Sequence, residues 1–401
     1  MAAAEDDLLQ KVHGLNDLEL AALLSLIARE HCIISTTPEA VDELAEELRL
    51  ISARTFGLSS AVVSCHAHTT LDDFATALLL APSPQVSSPS GGGSSTHNIS
   101  NSGRSGSPFR PRHQAPHHHH DPSGTTAAGS YFLPKPGTLS RGPISPSAST
   151  VASQPLIAHV VLAKHLDRAP RAIQIQALEL LRTRRIFTRT SVQTAPKQFL
   201  FISVLSATSG GRAHVTSHLN DFFYLAHWHD PEDGFDYLDE EYGAVDEGTS
   251  AGEDIYGVMV LPVDSHQPDQ QPVFTETDIA LLAQLSRQVR VDVDVARYQM
   301  NIISFLRTHR AVGSGITPTA TKHFEQLMRS LAPLHGLDYV TPSLVALAAK
   351  KVYLHRIKMV APEKERSMQW GSELAAVEVL LEGLGPEDVI EDVLGLVAAP
   401  S

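Results

Sequence analysis

The apolar positions of the first eighty residues fall into two alternating textures. Residues 16–30 (NDLELAALLSLIARE) carry leucines at helical spacing behind Asn16 and Asp17, either of which can cap a helix. HCII at 31–34 is a short continuous apolar run, the pattern of a buried strand. Thr36-Thr37-Pro38 then predicts a helix reaching about Phe56, with Val41, Leu44, Leu48 and Ile51 on one face and Gly57 as its stop. SAVVSC (60–65) predicts a second strand, and Thr70 a cap for the helix LDDFATALLL. Strand, helix, strand is the beginning of a parallel α/β sheet.

The pattern lapses over residues 82–150, where Ser, Pro, Gly and His dominate and aliphatic side chains are sparse. Such a segment cannot offset its ordering entropy, which predicts a disordered insertion. The fold resumes at about Gln154 with the strand IAHVVLA and the amphipathic helix IQIQALELLRTRR. A hairpin over RIFTRTSVQT, a buried strand FLFISVL and a further strand FFYLAHWH (222–229) follow, then an acidic stretch to about Gln271 that reads as a mobile loop. From Thr275 the period is helical throughout. Thr275 with Asp278 caps IALLAQLSRQV, a second helix covers roughly 292–309, and Thr317-Pro318 and Thr341-Pro342 open two more. Two short acidic amphipathic helices flank Gly383-Leu384-Gly385 in the tail, suited to pack on the bundle or to dock a partner.

Composition narrows the function classes. A net charge of −14 argues against a general nucleic-acid binder. The charge is uneven: Ala213 to Ser286 contains no Lys or Arg, whereas Lys164 to Lys197 holds eight. Cys32 and Cys65 each lie in an apolar run and read as reduced core residues. No apolar stretch reaches spanning length and MAAAEDDLL has no basic n-region, so the expected setting is intracellular, cytoplasm or nucleus, without a membrane partner.

GSGITPTATKHFEQLMRSLAPLHGLDYVTPSLVALAAKKVYLHRI (313–357) resembles the lid of the MoxR and magnesium-chelatase I-subunit families of AAA+ ATPases, and is most similar to fungal members. VVLAKHLDRAPRAIQIQALELL resembles that group's Walker B strand and helix, RRIFTRTSVQTAPKQFLFISVL its hairpin and sensor-1 strand, and HLNDFFYLAHWHDPED its Leu-Asp-Arg-Phe segment with the strand behind it. The resemblance implies an AAA+ parallel-sheet core, P-loop-NTPase-like, followed by an all-α lid. Its expected parts are 1–81 and 151–235 for the core, 82–150 for the insertion, 236–272 for the acidic loop, 273–360 for the lid and 361–401 for the tail.

The resemblance also places the chemistry, and there the residues depart from it. The Walker A position falls on Pro38, Glu39, Ala40, Val41, Asp42 and Glu43, with Asp42 in place of the phosphate-binding Lys and no glycine nearby. The Walker B carboxylates become Lys164 and His165, with Asp167 beyond; neither of the first two replaces a hard oxygen ligand for Mg²⁺. The arginine-finger position is Phe222, the sensor-2 position Thr319, and Ser206 is the nearest sensor-1 candidate. An arginine finger alone is worth ~10³–10⁵ in rate. These substitutions predict an AAA+ scaffold without hydrolysis, a regulatory or assembly subunit oligomerising with itself or with other AAA+ subunits. The alternative implied by the resemblance is an ATP-driven subunit of a magnesium chelatase complex, and only that reading calls for ATP and Mg²⁺. Lys164 could reach across to serve as the missing phosphate Lys, or pair with a carboxylate such as Asp42.

Other candidates carry weaker chemistry. His117–His120, with His97 and His113, could bind a transition metal or be a compositional accident. His227 and His229 share one side of a strand but lack an identifiable third ligand, so no metal site is assigned. RTRRIFTR (182–189) suits an acidic neighbour, the 230–254 stretch or another subunit, better than nucleic acid. Ser83, Ser88, Ser107 and Ser145 precede prolines and could be phosphorylated.

Overall fold

The computed structural model describes residues 2–80, 156–188, 191–246 and 271–400. The insertion predicted at 82–150, with its histidine tract and Ser-Pro sites, lies outside the described residues, as does the acidic stretch from 247 to 270.

Helix α1 (Ala2–His13) leads into α2 (Asp17–Ala28), which Asn16 opens with a capping box: its side chain accepts from the Glu19 amide while Glu19 accepts from Asn16. Then come β1 (Cys32–Thr36), α3 (Val41–Arg54), β2 (Ser60–Ser64), α4 (Leu71–Ala77) and β3 (Leu79–Leu80). After the insertion the chain forms β4 (Leu156–Ile157), β5 (Val160–Lys164), α5 (Arg171–Thr183), the hairpin β6 (Arg185–Phe187) and β7 (Val192–Thr194), then β8 (Leu200–Ser206), α6 (Ser217–Phe222) and β9 (Leu225–Trp228). The parallel sheet has the order β2-β5-β8-β1-β9.

Alternation along the strands divides the core in two. Cys32, Ile34, Val160, Leu162, Leu200, Ile202 and Val204 point to one face, against α2, α3 and the C-terminal helices. Ile33, Val161, Ala163, Phe201 and Leu205 point to the other, against α4, α5 and α6. Each such fully buried side chain contributes ~1.5–3 kcal/mol, and this two-sided burial is why the strands read as unbroken apolar runs. The helix after β1 covers the first face, while those after β2, β5 and β8 cover the second. Crossovers therefore diverge between β1 and β8, and the crevice of this sheet opens at the carboxyl ends of those two strands.

The remaining helices are α7 (Asp236–Asp246), α8 (Glu276–Gln288), α9 (Val293–Thr308), α10 (Pro318–Leu334) and α11 (Pro342–Tyr353). The ribbon of β10 (Val312–Ser314) and β11 (Lys358–Met359) and the tail helices α12 (Leu374–Leu381) and α13 (Pro386–Leu396) complete the chain. Thr275, Thr317 and Thr341 cap α8, α10 and α11 as their spacing predicts. Val389, Ile390 and Val393 bury α13 against the helical bundle, whereas α12 leaves Val379 and Leu380 exposed.

Three expectations need correction. The helix expected from Thr37 begins at Val41, because residues 37–40 close a turn through the Ala40 amide and the Thr37 carbonyl at 3.2 Å. LDDFATALLL is helical only to Ala77, and its last residues pair as β3 with β4. The start of the acidic "loop" is α7: both Glu47 carboxylate oxygens accept from its first-turn amides, Tyr237 and Leu238, at 3.2 and 3.0 Å.

Candidate functional site

At the carboxyl end of β1 the link to α3 is only four residues long, Thr37 to Ala40. A phosphate cradle needs several free amides on glycine-rich backbone. Here Pro38 has no N–H, and the Ala40 amide is spent on Thr37. Ala40 and Val41 turn inward and are buried, so the outward face of the turn is Pro38, Glu39, Asp42 and Glu43. Two carboxylates in the first turn of α3 already complement the helix dipole that an anion would otherwise use.

Lys164, the last residue of β5, reaches across the crevice to Asp42, Nζ to Oδ1 at 2.6 Å. Its hydrogen bond and charge hold the Asp42 carboxyl below its ordinary value. A second bridge joins Arg168 Nη2 to the Ser206 hydroxyl at 3.0 Å, so the sensor-1 candidate is engaged by a cation from the turn after β5. His165 sits in the left-handed region at φ 53°, its amide donating to Val204 at 2.9 Å. Burial, reinforced by Arg168, holds the His165 imidazole toward its neutral form. Asp167 Oδ1, His165 Nδ1 and Thr36 Oγ1 are buried here without hydrogen-bond partners among the described residues.

The structure thus gathers at one crevice the residues that the resemblance assigns to Walker A and Walker B, and those side chains do not fit Mg²⁺ and a triphosphate. On that assignment, Glu39, Asp42 and Glu43 line the expected phosphate side, the turn offers few free amides, and Lys164 and His165 take the places of metal-holding carboxylates. Phe222 and Thr319 lie elsewhere. Phe222 stacks on His31, just before the start of β1, with ring centroids 6.4 Å apart, at the opposite end of that strand from Asp42. Thr319 is half-buried in the first turn of α10.

Near that helix start lies a polar cluster that the sequence pattern did not single out. Arg356 is 2% exposed and its guanidinium contacts the carbonyls of Asp221, Phe223, Tyr224 and Val352, and His323 Nδ1 at 2.7 Å. Asp221 pairs with Arg356 Nε at 3.5 Å and accepts from the Thr317 hydroxyl at 2.6 Å. Asn220 Nδ2 donates to the His355 carbonyl at 2.6 Å, and His355 Nε2 donates to the Phe223 carbonyl at 3.2 Å. Burial holds His323 at about 3 and lowers Arg356 to about 10. Gly315 is indispensable beside it: with φ at 115°, a Cβ would fall 1.9 Å from the Arg356 carbonyl oxygen. The cluster ties α10 and α11 to the segment between α6 and β9.

The remaining candidates resolve locally. Among the described residues no group of three His, Cys, Asp or Glu is arranged for a metal. His227 Nδ1 meets Lys351 Nζ at 2.7 Å, and His229 Nε2 meets the Gly234 carbonyl at 3.1 Å. Among the described residues the basic stretch makes no ion pair with the acidic segment, one of the two neighbours expected for it. Arg184 turns inward to the carbonyls of Arg29 and Phe199, and it is Arg54 that pairs with Glu240 and Glu241 of α7. Cys32 and Cys65 are buried and unpaired. No helix among the described residues is long and apolar enough to cross a membrane.

Comparison with known proteins agrees with this architecture. The family model described as AAA lid domain matches residues 304–374. A Bacillus subtilis protein named uncharacterized protein YeaC is 25% identical over 144 residues, which is 36% of this chain and 40% of that protein. Maintenance of telomere capping protein 2 of Lachancea thermotolerans is 28% identical over 116 residues, 28% of this chain and 41% of that protein. The alignments therefore span about two fifths of these relatives. The crystal structure of a candidate ATPase from Cytophaga hutchinsonii superposes on the whole chain and 99% of its own, with a TM-score of 0.57 at 11% identity. The chain has an AAA+ ATPase-like fold: a parallel-sheet α/β core carrying an AAA lid domain.

Proposed function

We propose that the chain is a MoxR or magnesium-chelatase-I-like AAA+ subunit that does not hydrolyse ATP and acts as a regulatory or assembly scaffold, oligomerising with itself or with other AAA+ subunits. The observation that carries this reading is the Lys164–Asp42 pair at 2.6 Å, set over a turn poor in free amides. A carboxylate there repels a triphosphate, and Lys164, the candidate for a phosphate-binding lysine, is already neutralised. The buried Arg356 cluster supports the same view, since it holds lid and core together by contacts that need no nucleotide. The test is equilibrium binding of ATP and ADP with and without Mg²⁺, together with turnover in Mg-ATP. Neither nucleotide is expected to bind. Turnover above ~10⁻³ s⁻¹, the level of an unassisted GTPase, and lost in Lys164→Ala, would reject the scaffold in favour of the chelatase-type ATPase.

A further inference from the structure

Away from the crevice, Lys351 on α11 is a partly buried cation that meets no carboxylate within ion-pair distance among the described residues. Its ammonium contacts His227 Nδ1 at 2.7 Å. An ammonium has only donors, so Nδ1 accepts and the proton of the neutral ring sits on Nε2. That Nε2–H has no partner, although His227 is only 5% exposed. Burial depresses both groups' pKa values, as expected for charge held away from water.

Both residues line a cavity of about 210 Å³ enclosed by α2, β9, α10 and α11. Its other walls are Leu20, Leu24, Leu225, Leu327, Leu331 and Leu347, with Ala21 among them and Asp17, an exposed residue, also lining it. Lys351 feels Asp17 only from beyond ion-pair distance, so a cation set against a leucine wall still gains from an acceptor that arrives beside it. The acceptor has one charge to match. His227 also lines a neighbouring cavity of about 320 Å³ with Asp17, Glu47, Asp233 and Asp236, whose carboxylates oppose a second negative charge. A phosphate, or any wholly polar anion, would leave the leucines without a partner.

We propose that this cavity binds a small monocarboxylic acid with an apolar body, its carboxylate paired with Lys351 beside His227 and its hydrocarbon part lying on the leucines. The site is separate from the crevice at β1 and β8 and does not depend on the scaffold reading. Calorimetric titration of octanoate into the full chain tests it, with octanamide as the uncharged counterpart. Saturable octanoate binding with a dissociation constant at or below about 1 mM is expected. Octanamide, and octanoate with Lys351→Met, should each bind at least about tenfold more weakly, while Asp17→Asn tightens octanoate by removing the opposing charge. No saturable binding up to about 1 mM, or equal affinity in Lys351→Met, overturns the proposal. Should Lys351→Met fail to fold, Leu347→Trp at a half-exposed wall position decides, since undiminished affinity with the cavity filled is equally fatal.

Discussion

Two polar regions of this molecule are built on opposite principles. At the crevice, Lys164 and Asp42 make one short ion pair, with the carboxylate side chain 83% exposed. At the lid junction, Arg356 is enclosed, its Nη atoms held by carbonyls and an imidazole while Nε faces the Asp221 carboxylate at 3.5 Å. Solvent screens the first pair, so it adds little to stability. The second region cannot lose a member without leaving buried donors or acceptors stranded. The difference teaches where the fold has kept its polar precision. Here the ordered polar contacts join the lid to the core, and the crevice carries a surface pair.

At neutral pH, removing Arg356 should give the largest response of any single substitution. Arg356→Met keeps most of the volume but strands several buried carbonyls and leaves Asp221 with Thr317 alone, which costs about 3–5 kcal/mol. Urea unfolding of the full chain measures it, and a loss below about 1 kcal/mol would erase the contrast between the two regions.

Among single substitutions one buried histidine should come next, and acid separates the regions by pH window. Burial holds the folded pKa of His323 at about 3, below its ordinary 6.5. Unfolding therefore takes up a proton between those two values. Stability is full above about pH 6.5 and falls by about 1.4 kcal/mol per pH unit for each such histidine as the pH drops toward 3. His355, lowered by the same cause, adds to the slope, as do His31 and His227 elsewhere in the core. His323→Gln keeps an acceptor for Arg356 and should flatten the pH dependence by about one proton's worth. An unchanged slope would mean that His323 is not held neutral.

Much of the architecture was legible because parallel strands buried on both faces and Thr-Pro helix starts leave strong local patterns. The strands of β1, β5 and β8 and the caps of α8, α10 and α11 follow from them. The turn at 37–40 was misread as helix because Thr37-Pro38 imitates an N-terminus, while the true start, Ala40, has no side-chain cap to announce it. Helix α7 was hidden for a different reason: its N-terminal amides are satisfied by Glu47, some 190 residues upstream. The crevice residues were found through the resemblance, since Lys164 and His165 stand out only against the pair they replace. The Arg356 cluster is marked only by the resemblance, whose lid ends in a His-Arg pair that falls on His355 and Arg356. Its partners are brought together by tertiary packing, and one Arg after a helix looks like any surface cation.

The smallest effect is expected at the crevice, and its size is informative. Lys164 holds Asp42 below the ordinary carboxylate value of 3.8, so the pair's contribution is present above that pH and is lost as the pH falls through the folded value. It leaves the pH 5–7 range, where the buried histidines act, untouched. Asp42→Asn should therefore change stability by less than about 1 kcal/mol at neutral pH. What it changes is charge: the repulsion facing a triphosphate drops by one unit and Lys164 is released. If ATP still does not bind, the closed turn of Thr37 to Ala40 excludes it by geometry. If binding appears, the turn was adequate, and charge alone separates this crevice from one that holds nucleotide.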